Sequence, residues 1–319
     1  MKNLWILLSL LWLCACAGES SPEEAPQVPE LFEADGPYLT VLGIAQDAGF
    51  PQADCKKACC QAVWQDPSLE QKVVCLGLSL PKAEQNWMFE ATPDFPRQWQ
   101  ALKANGYPLT GIFITHAHIG HYTGLMHLGR EAMGAQEVSV HVLPRMRLFL
   151  EKNGPWSQLV KLGNIKLFNE APNNSRMILK GGRVSVRNLQ VPHRDEFSET
   201  AAFIIEGPKH SALFVPDIDK WGEWNTAVVD LIKEVDYAFL DGTFYANGEI
   251  PGRDMSEIPH PFVEESLELF KDLSPEEKAG IYFIHFNHTN PLMDPESKAA
   301  RELLKQGYPL VREGMKLPL

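Results

Sequence analysis

No stretch of this sequence is apolar for long enough to cross a bilayer as a helix, which takes about 18 or more residues. The longest candidate, Leu4 to Leu13, stops well short of that. Basic residues are in short supply too. Against 41 Asp and Glu stand only 29 Lys and Arg, for a net charge of -12. So acidic a chain lacks the electrostatic footprint of a nucleic-acid binder, although a metal ion could hold a local positive field in one cleft. Cysteine and histidine are scarce, at six and ten in 319 residues, so a cluster of either carries information. Repeats are absent, and low complexity is confined to a short N-terminal segment. What is abundant is apolar surface: a 45% hydrophobic composition suits one large domain or two small ones with ample core.

The N-terminus reads as an address. Lys2, the apolar run Leu4 to Leu13 and the box Leu13-Cys14-Ala15-Cys16 are the parts of a secretory signal. The box resembles a bacterial lipobox with Cys16 as the lipid-bearing residue; an uncleaved anchor is the other reading. The residues up to Gly36 are rich in Pro, Glu and Ser, the composition of a flexible tether. The expectation is a signal peptide over residues 1–15, a tether from lipidated Cys16 over 16–36, and one folded domain over 37–319. The mature chain would sit in the bacterial cell envelope, outside the cytoplasm, held to the membrane by its lipid without spanning it.

The organising stretch is Thr115-His116-Ala117-His118-Ile119-Gly120-His121, which places three of the ten histidines within six residues. Thr110 to Ile114 before it reads as a buried strand. Thr123 to Glu131 after it carries apolar residues at helical spacing. On a strand-to-helix turn, imidazoles can converge on one point, which suits a divalent metal better than three solvated loop histidines. Further metal-type residues recur at strand ends: His193 after Leu189 to Val191, Asp217 after Ser211 to Val215, and His285 after Ile281 to Ile284. A site at the common edge of two packed sheets requires that pattern. Asp217 could instead cap a following helical turn. Asp47, in the Gln46-Asp47-Ala48-Gly49 turn, reads as a turn stabiliser that could also line a pocket. His288 and His260 are candidates for an additional metal ligand or a general acid. His127, His141 and His210 read as non-functional.

Other expected elements are strands at Tyr38 to Ala45, Val73 to Leu80, Asn86 to Ala91, Glu137 to Leu143, Thr200 to Glu206 and Tyr237 to Leu240. Helices are expected at Pro96 to Asn105, Pro144 to Lys152, Phe262 to Lys271 and Pro295 to Gln306. The chain closes on Tyr308 to Val311. Cys55, Cys59 and Cys60 crowd one loop; their spacing fits a structural zinc site, and a disulfide is also open in an oxidising compartment.

His116-x-His118-x-x-His121, then His193, Asp217 and His285 in that order, resemble the metallo-β-lactamase superfamily from about Tyr38 to the end. The resemblance implies an α+β fold, the αββα four-layer sandwich. Within it, Gly49-Phe50-Pro51-Gln52 before the cysteines, Asp241-Gly242-Thr243-Phe244, and Ile284-His285-Phe286-Asn287-His288-Thr289-Asn290-Pro291 are similar to the family of coenzyme PQQ synthesis protein B. That likeness implies zinc at Cys55, Cys59 and Cys60 rather than a disulfide. The turn departs from the superfamily's commonest form, which has Asp before the third histidine where this chain has Gly120. It also departs from the PQQ relatives, which tend to keep that Asp and lose the first two histidines.

By this resemblance His116, His118 and His193 hold a first metal. Asp217 bridges, and His121 and His285 hold a second metal that Gly120 leaves weak, absent or rescued by another residue. The implied function is that of a zinc-dependent hydrolase, in which metal-bound hydroxide attacks an ester, amide or phosphodiester of a small-molecule substrate. The catalytic assignments are Asp217, His288 and His260. An iron-dependent oxidative enzyme like the PQQ relatives is the alternative, and a non-catalytic metal-binding lipoprotein the second. Nucleic acid is not expected as a partner.

Overall fold

The structure, a computed structural model, describes residues 36–319 apart from Asn174 and Gly182. The signal segment 1–15, Cys16 and nearly all of the tether lie outside the described residues. Among the described residues, no helix is long and apolar enough to cross a membrane.

In chain order the strands are β1 (Tyr38–Gly43), β2 (Cys75–Leu80), β3 (Gln85–Phe89), β4 (Leu109–Phe113), β5 (Val138–Val142) and β6 (Ile165–Asn169). They continue with β7 (Arg176–Ile178), β8 (Ser185–Val191), β9 (Thr200–Glu206), β10 (Ser211–Val215), β11 (Tyr237–Asp241), β12 (Ile281–Ile284) and β13 (Lys316–Pro318). One sheet has the order β13-β1-β2-β3-β4-β5-β6, the other β12-β11-β10-β9-β8-β7.

The strand sequences are apolar at consecutive positions because both faces of each sheet are covered. On β3, Trp87 and Phe89 enter the core between the sheets, while Met88 faces the outer helices. Under the first sheet, Met88, Ile112 and Val140 pack with Phe95 and Leu102 of helix Phe95–Leu102 and with Met146 and Leu150 of helix Pro144–Lys152. The second sheet is covered by helices Val228–Lys233, Val263–Leu269 and Lys298–Lys305, through residues such as Leu231, Val263 and Leu303. The result is the αββα sandwich. Four phenylalanines bind its sheets together. Phe89 stacks on Phe113 at 5.0 Å, Phe113 meets Phe203 at 5.5 Å, and Phe89 meets Phe214 at 6.0 Å. Truncating one such ring to Ala costs about 3–5 kcal/mol.

Strand direction is what creates the site. β3, β4, β5 and β6 run parallel, and β1 shares their direction because it is antiparallel to β2, which is antiparallel to β3. In the other sheet β10, β11 and β12 run parallel, and β8 agrees with them through two antiparallel steps across β9. Within each sheet, the carboxyl ends of these strands therefore open on a common edge, where loop residues of both sheets meet.

Some boundaries differ from expectation. The helix expected at Thr123 to Glu131 is a short α-turn at Ile119–Tyr122 followed by a 3-10 segment, Thr123–Leu128. A tight approach shapes it: a Cβ on Gly124 would lie 2.1 Å from the Thr92 carbonyl oxygen. The helix expected over Pro96 to Asn105 ends at Leu102 and tightens to a 3-10 turn before Gly106, which takes the left-handed φ of +85° that glycine permits. The last strand is Lys316–Pro318, beyond Tyr308 to Val311, and pairs with β1. The cysteine loop contains an unexpected helix, Ala58–Gln65.

Candidate metal centre

Each site residue sits at or just beyond the carboxyl end of a strand. β4 delivers His116, His118 and His121; β8 delivers His193; β10 delivers Asp217; β12 delivers His285; β1 leads to Asp47. At two of these ends the chain turns abruptly. Glu90 and His285 take positive φ, 83° and 61°, directly after β3 and β12. Such backbone costs of order 1–3 kcal/mol in a non-glycine residue and persists where surrounding structure enforces it. Here it turns the Glu90 and His285 side chains into the site.

Asp217 is the hub. It is 2% exposed, and its Oδ2 is 3.2 Å from His193 Nε2, 3.4 Å from His116 Nε2, 3.7 Å from His121 Nε2 and 3.9 Å from His285 Nε2. His118 Nδ1 lies 2.8 Å from His116 Nε2. Ligands of a tetrahedral zinc at 2.0–2.1 Å stand about 3.3 Å apart, so the spacing of His116, His118, His193 and Asp217 suits one ion. Asp47 Oδ1 lies 2.9 Å from His121 Nε2 and 3.4 Å from His285 Nε2. His121 Nε2 and His193 Nε2 are buried without a hydrogen-bond partner among the described atoms, despite carboxylate oxygens at 2.9 and 3.2 Å. Lone pairs directed at a shared point, rather than along a hydrogen bond, have this geometry.

The opposite ring nitrogens are anchored. Thr115 Oγ1 is 2.8 Å from His116 Nδ1 and donates to Glu90 Oε1 at 2.5 Å; that Glu90 oxygen also lies 3.1 Å from His121 Nδ1. Asp219 Oδ1 is 3.0 Å from His193 Nδ1, and Glu196 Oε2 is 3.1 Å from His118 Nε2. Thr243 Oγ1 is 2.8 Å from His285 Nδ1 and donates to Asp241. Partners of this kind orient imidazole ligands and raise their basicity.

The electrostatics follow from burial and proximity. Burial and the charge of neighbouring His121 push the His116 pKa well below the usual imidazole value. Burial also works against a charged His121, yet the Asp47 and Glu90 carboxylates prevail and hold it well above that value. Burial would likewise raise Asp217; the surrounding imidazoles, His193 and His260 foremost, hold it well below the ordinary carboxylate range.

His260 does not join either donor set directly. Its Nδ1 is 2.9 Å from Asp241 Oδ2 and 3.2 Å from Asp217 Oδ1, and it forms a third donor group with Asp217, Asp241 and His285. His288 is the larger correction. Expected in the same pocket as His285, it belongs to another cluster: its Nδ1 is 3.4 Å from Cys55 Sγ, 3.6 Å from Cys59 Sγ and 3.3 Å from Cys60 Sγ. A zinc with sulfur at about 2.3 Å and nitrogen at 2.0–2.1 Å sets such atoms about 3.6 Å apart, so these four side chains fit a closed structural site. All four described cysteines are free thiols. Backbone amides of Gln52 and Lys57 donate to Cys60 and Cys55 sulfurs at 3.4 Å. His288 is thus unavailable as a general acid in the histidine pocket.

Asp47 also needs correcting: it faces His121 and His285 and is more than a turn stabiliser. The sequence reading missed Glu90, a lone acid at the end of a strand, and Asp241, whose place at a strand end was visible but unassigned. His127, His141 and His210 lie elsewhere, against Phe95, Glu170 and Asp236.

Comparison with known proteins agrees with this architecture. A profile described as the beta-lactamase superfamily domain matches residues 85–286. Coenzyme PQQ synthesis protein B of Pseudomonas syringae pv. tomato is 25% identical, over 88% of this chain and 100% of the relative. That of Xanthomonas campestris pv. campestris is 22% identical, over 88% of this chain and 99% of the relative. Zn(2+)-bound PqqB from Methylobacterium extorquens superposes with a TM-score of 0.74 at 19% identity, covering 88% of this chain and 100% of that one. Human tRNase Z, short form, gives 0.56 at 15% identity, covering 88% and 98%. The structural likenesses, all below 25% identity, establish the fold. The profile match spans more than half of the sequence and includes the histidine turn, His193, Asp217 and His285: this chain belongs to the beta-lactamase superfamily.

Proposed function

We propose that the protein is a metal-dependent hydrolase that cleaves an ester, amide or phosphodiester bond in a small molecule. The reading is carried by one observation, the convergence of four imidazole nitrogens within 3.9 Å of the single buried oxygen Asp217 Oδ2. Donors of that number and type fit zinc. When bound, such an ion supplies an acidified water and polarises the scissile group.

The chain's own residues do the rest. His116, His118 and His193 would hold the first ion and leave a position open to solvent and substrate. Thr115 and Asp219 fix the tautomers of His116 and His193 through their Nδ1 atoms. Asp217, kept ionised by the imidazoles around it, would serve as an anionic ligand shared by the pocket's donor groups. His260 Nδ1 pairs with Asp241 Oδ2 at 2.9 Å, and its charge helps keep the Asp217 carboxylate ionised.

The test is turnover of bis(p-nitrophenyl) phosphate and p-nitrophenyl acetate by zinc-loaded protein. Activity should vanish on chelation and in His116→Ala and Asp217→Asn. Fully metallated protein that cleaves neither these nor an anilide would refute the reading.

An iron-dependent oxidative enzyme is the second reading. It is favoured by the mixture of imidazoles with the Asp47 and Asp217 carboxylates, donors that suit iron as well as zinc. Elemental analysis of protein purified without added metal separates the two. We also propose, from the Leu13-Cys14-Ala15-Cys16 box, that the protein is lipid-anchored through Cys16 in the cell envelope, outside the cytoplasm.

A further inference from the structure

The histidine turn carries no acidic residue, so His121 and His285 lack a carboxylate from their own neighbourhood in sequence. We propose that Asp47, from the loop after β1, supplies it, completing a second metal position with His121, His285 and a share of Asp217. The inference rests on the metal reading of the histidine pocket.

Three observations carry it. The first is placement: Asp47 Oδ1 is 2.9 Å from His121 Nε2 and 3.4 Å from His285 Nε2, and with Asp217 these donor atoms all lie within 4.8 Å of one another. The second is the state of His121. Its ring is fully buried and its Nε2 has no aligned hydrogen-bond partner among the described atoms, so the atom facing Asp47 is directed at a common point between them. A buried polar atom left in that condition is costly unless a ligand completes it.

The third is the space at Gly120. A Cβ built there would lie 2.5 Å from the Asp47 Cα and 2.5 Å from its Oδ1. Gly120 does not take a left-handed φ, so backbone freedom is not what demands glycine. The demand is for volume: the backbone and carboxylate of Asp47 together fill the place that a side chain at 120 would take. Glycine at 120 and aspartate at 47 are therefore one arrangement. The carboxylate enters the pocket from β1 instead of from the turn. On this reading the second position is rescued by Asp47, and not by His288 or His260. Gly120→Asp alone should drive its side chain into Asp47 and weaken the second position, not tighten it.

The experiment counts zinc in the whole folded protein and does not use hydrolysis. Wild type should bind three ions: one at the cysteines and two in the histidine pocket. Asp47→Asn preserves volume and should lower affinity for one pocket ion by at least about 10-fold, as changes around metal ligands do, while the other two ions stay. Asp47→Gly should do the same. Calorimetric titration with zinc alone, and elemental analysis after dialysis, read these outcomes. An Asp47→Asn protein with three ions at wild-type affinity, or a wild type with only one ion in the pocket, would overturn the proposal. Two pocket ions in a protein with no hydrolytic turnover would leave this inference standing and sink the hydrolase reading.

Discussion

His288 Nδ1 lies 3.3 Å from Cys60 Sγ, although 228 positions separate the two residues in sequence. The contact joins the loop after β12 to helix Ala58–Gln65, and Cys55 and Cys59 complete it. Burial pushes the metal-free Cys60 thiol up to about 12, so at neutral pH it is the thiol that awaits an ion. His288→Ala and Cys60→Ser should each remove about one zinc per chain. A loss on the order of 2 kcal/mol would lower Tm by about 4–8 °C for a domain approaching this size. Elemental analysis and calorimetry check both. Full zinc content in either variant, or a disulfide within this cluster in metallated protein, would refute the assignment.

A second prediction concerns Asp219, which anchors His193 from outside the donor set. Asp219→Ala should weaken the first pocket ion about 10–100-fold and leave the cysteine ion in place. Thr115→Val should act likewise through His116. Zinc titration measures both effects. Unchanged affinity in both variants would show that these hydrogen bonds do not orient the rings.

The third follows from protonation. A histidine whose pKa is raised in the metal-free protein holds its proton to higher pH and must give it up when an ion binds. His121, raised by Asp47 and Glu90 against the effect of burial, is such a group, and His193, raised by Asp217 against burial, is another. His116 and His118, lowered chiefly by burial, are already neutral. Zinc uptake by the pocket at pH 7 should therefore release protons, and affinity should fall as pH falls, because protons then compete more strongly. Titration in two buffers of different ionisation enthalpy gives the count. No release from the pocket histidines, measured in the Cys60→Ser background, would contradict the charge assignment.

A fourth tests the anchor. Cys16→Ser should abolish lipid modification and shift the protein from the membrane fraction to the soluble one. Mass analysis of the native chain decides. A chain beginning at Met1 without lipid would exclude the lipoprotein reading.

Several boundaries were legible because periodicity and breakers coincide there. Pro144 opens helix Pro144–Lys152, and Gly207-Pro208 marks the turn between β9 and β10. The histidine turn, His193, Asp217 and His285 were legible because each follows an apolar strand. Asp47 was not. Its role depends on the volume missing at Gly120, a fact of space with no trace in local sequence. His288 was misplaced because spacing from His285 implies a common face only on a regular helix; here the left-handed φ of His285 turns the chain, and the two histidines serve different clusters. Glu90 looked like one more residue of a strand, and only its positive φ brings the carboxylate to His121 Nδ1.

The two clusters are thus tied by the same pair of backbone segments. One runs from Asp47 to Cys60; the other is the short reach from His285 to His288. A cation held by the cysteines would pin the two backbone segments from which Asp47 and His285 reach the histidine pocket.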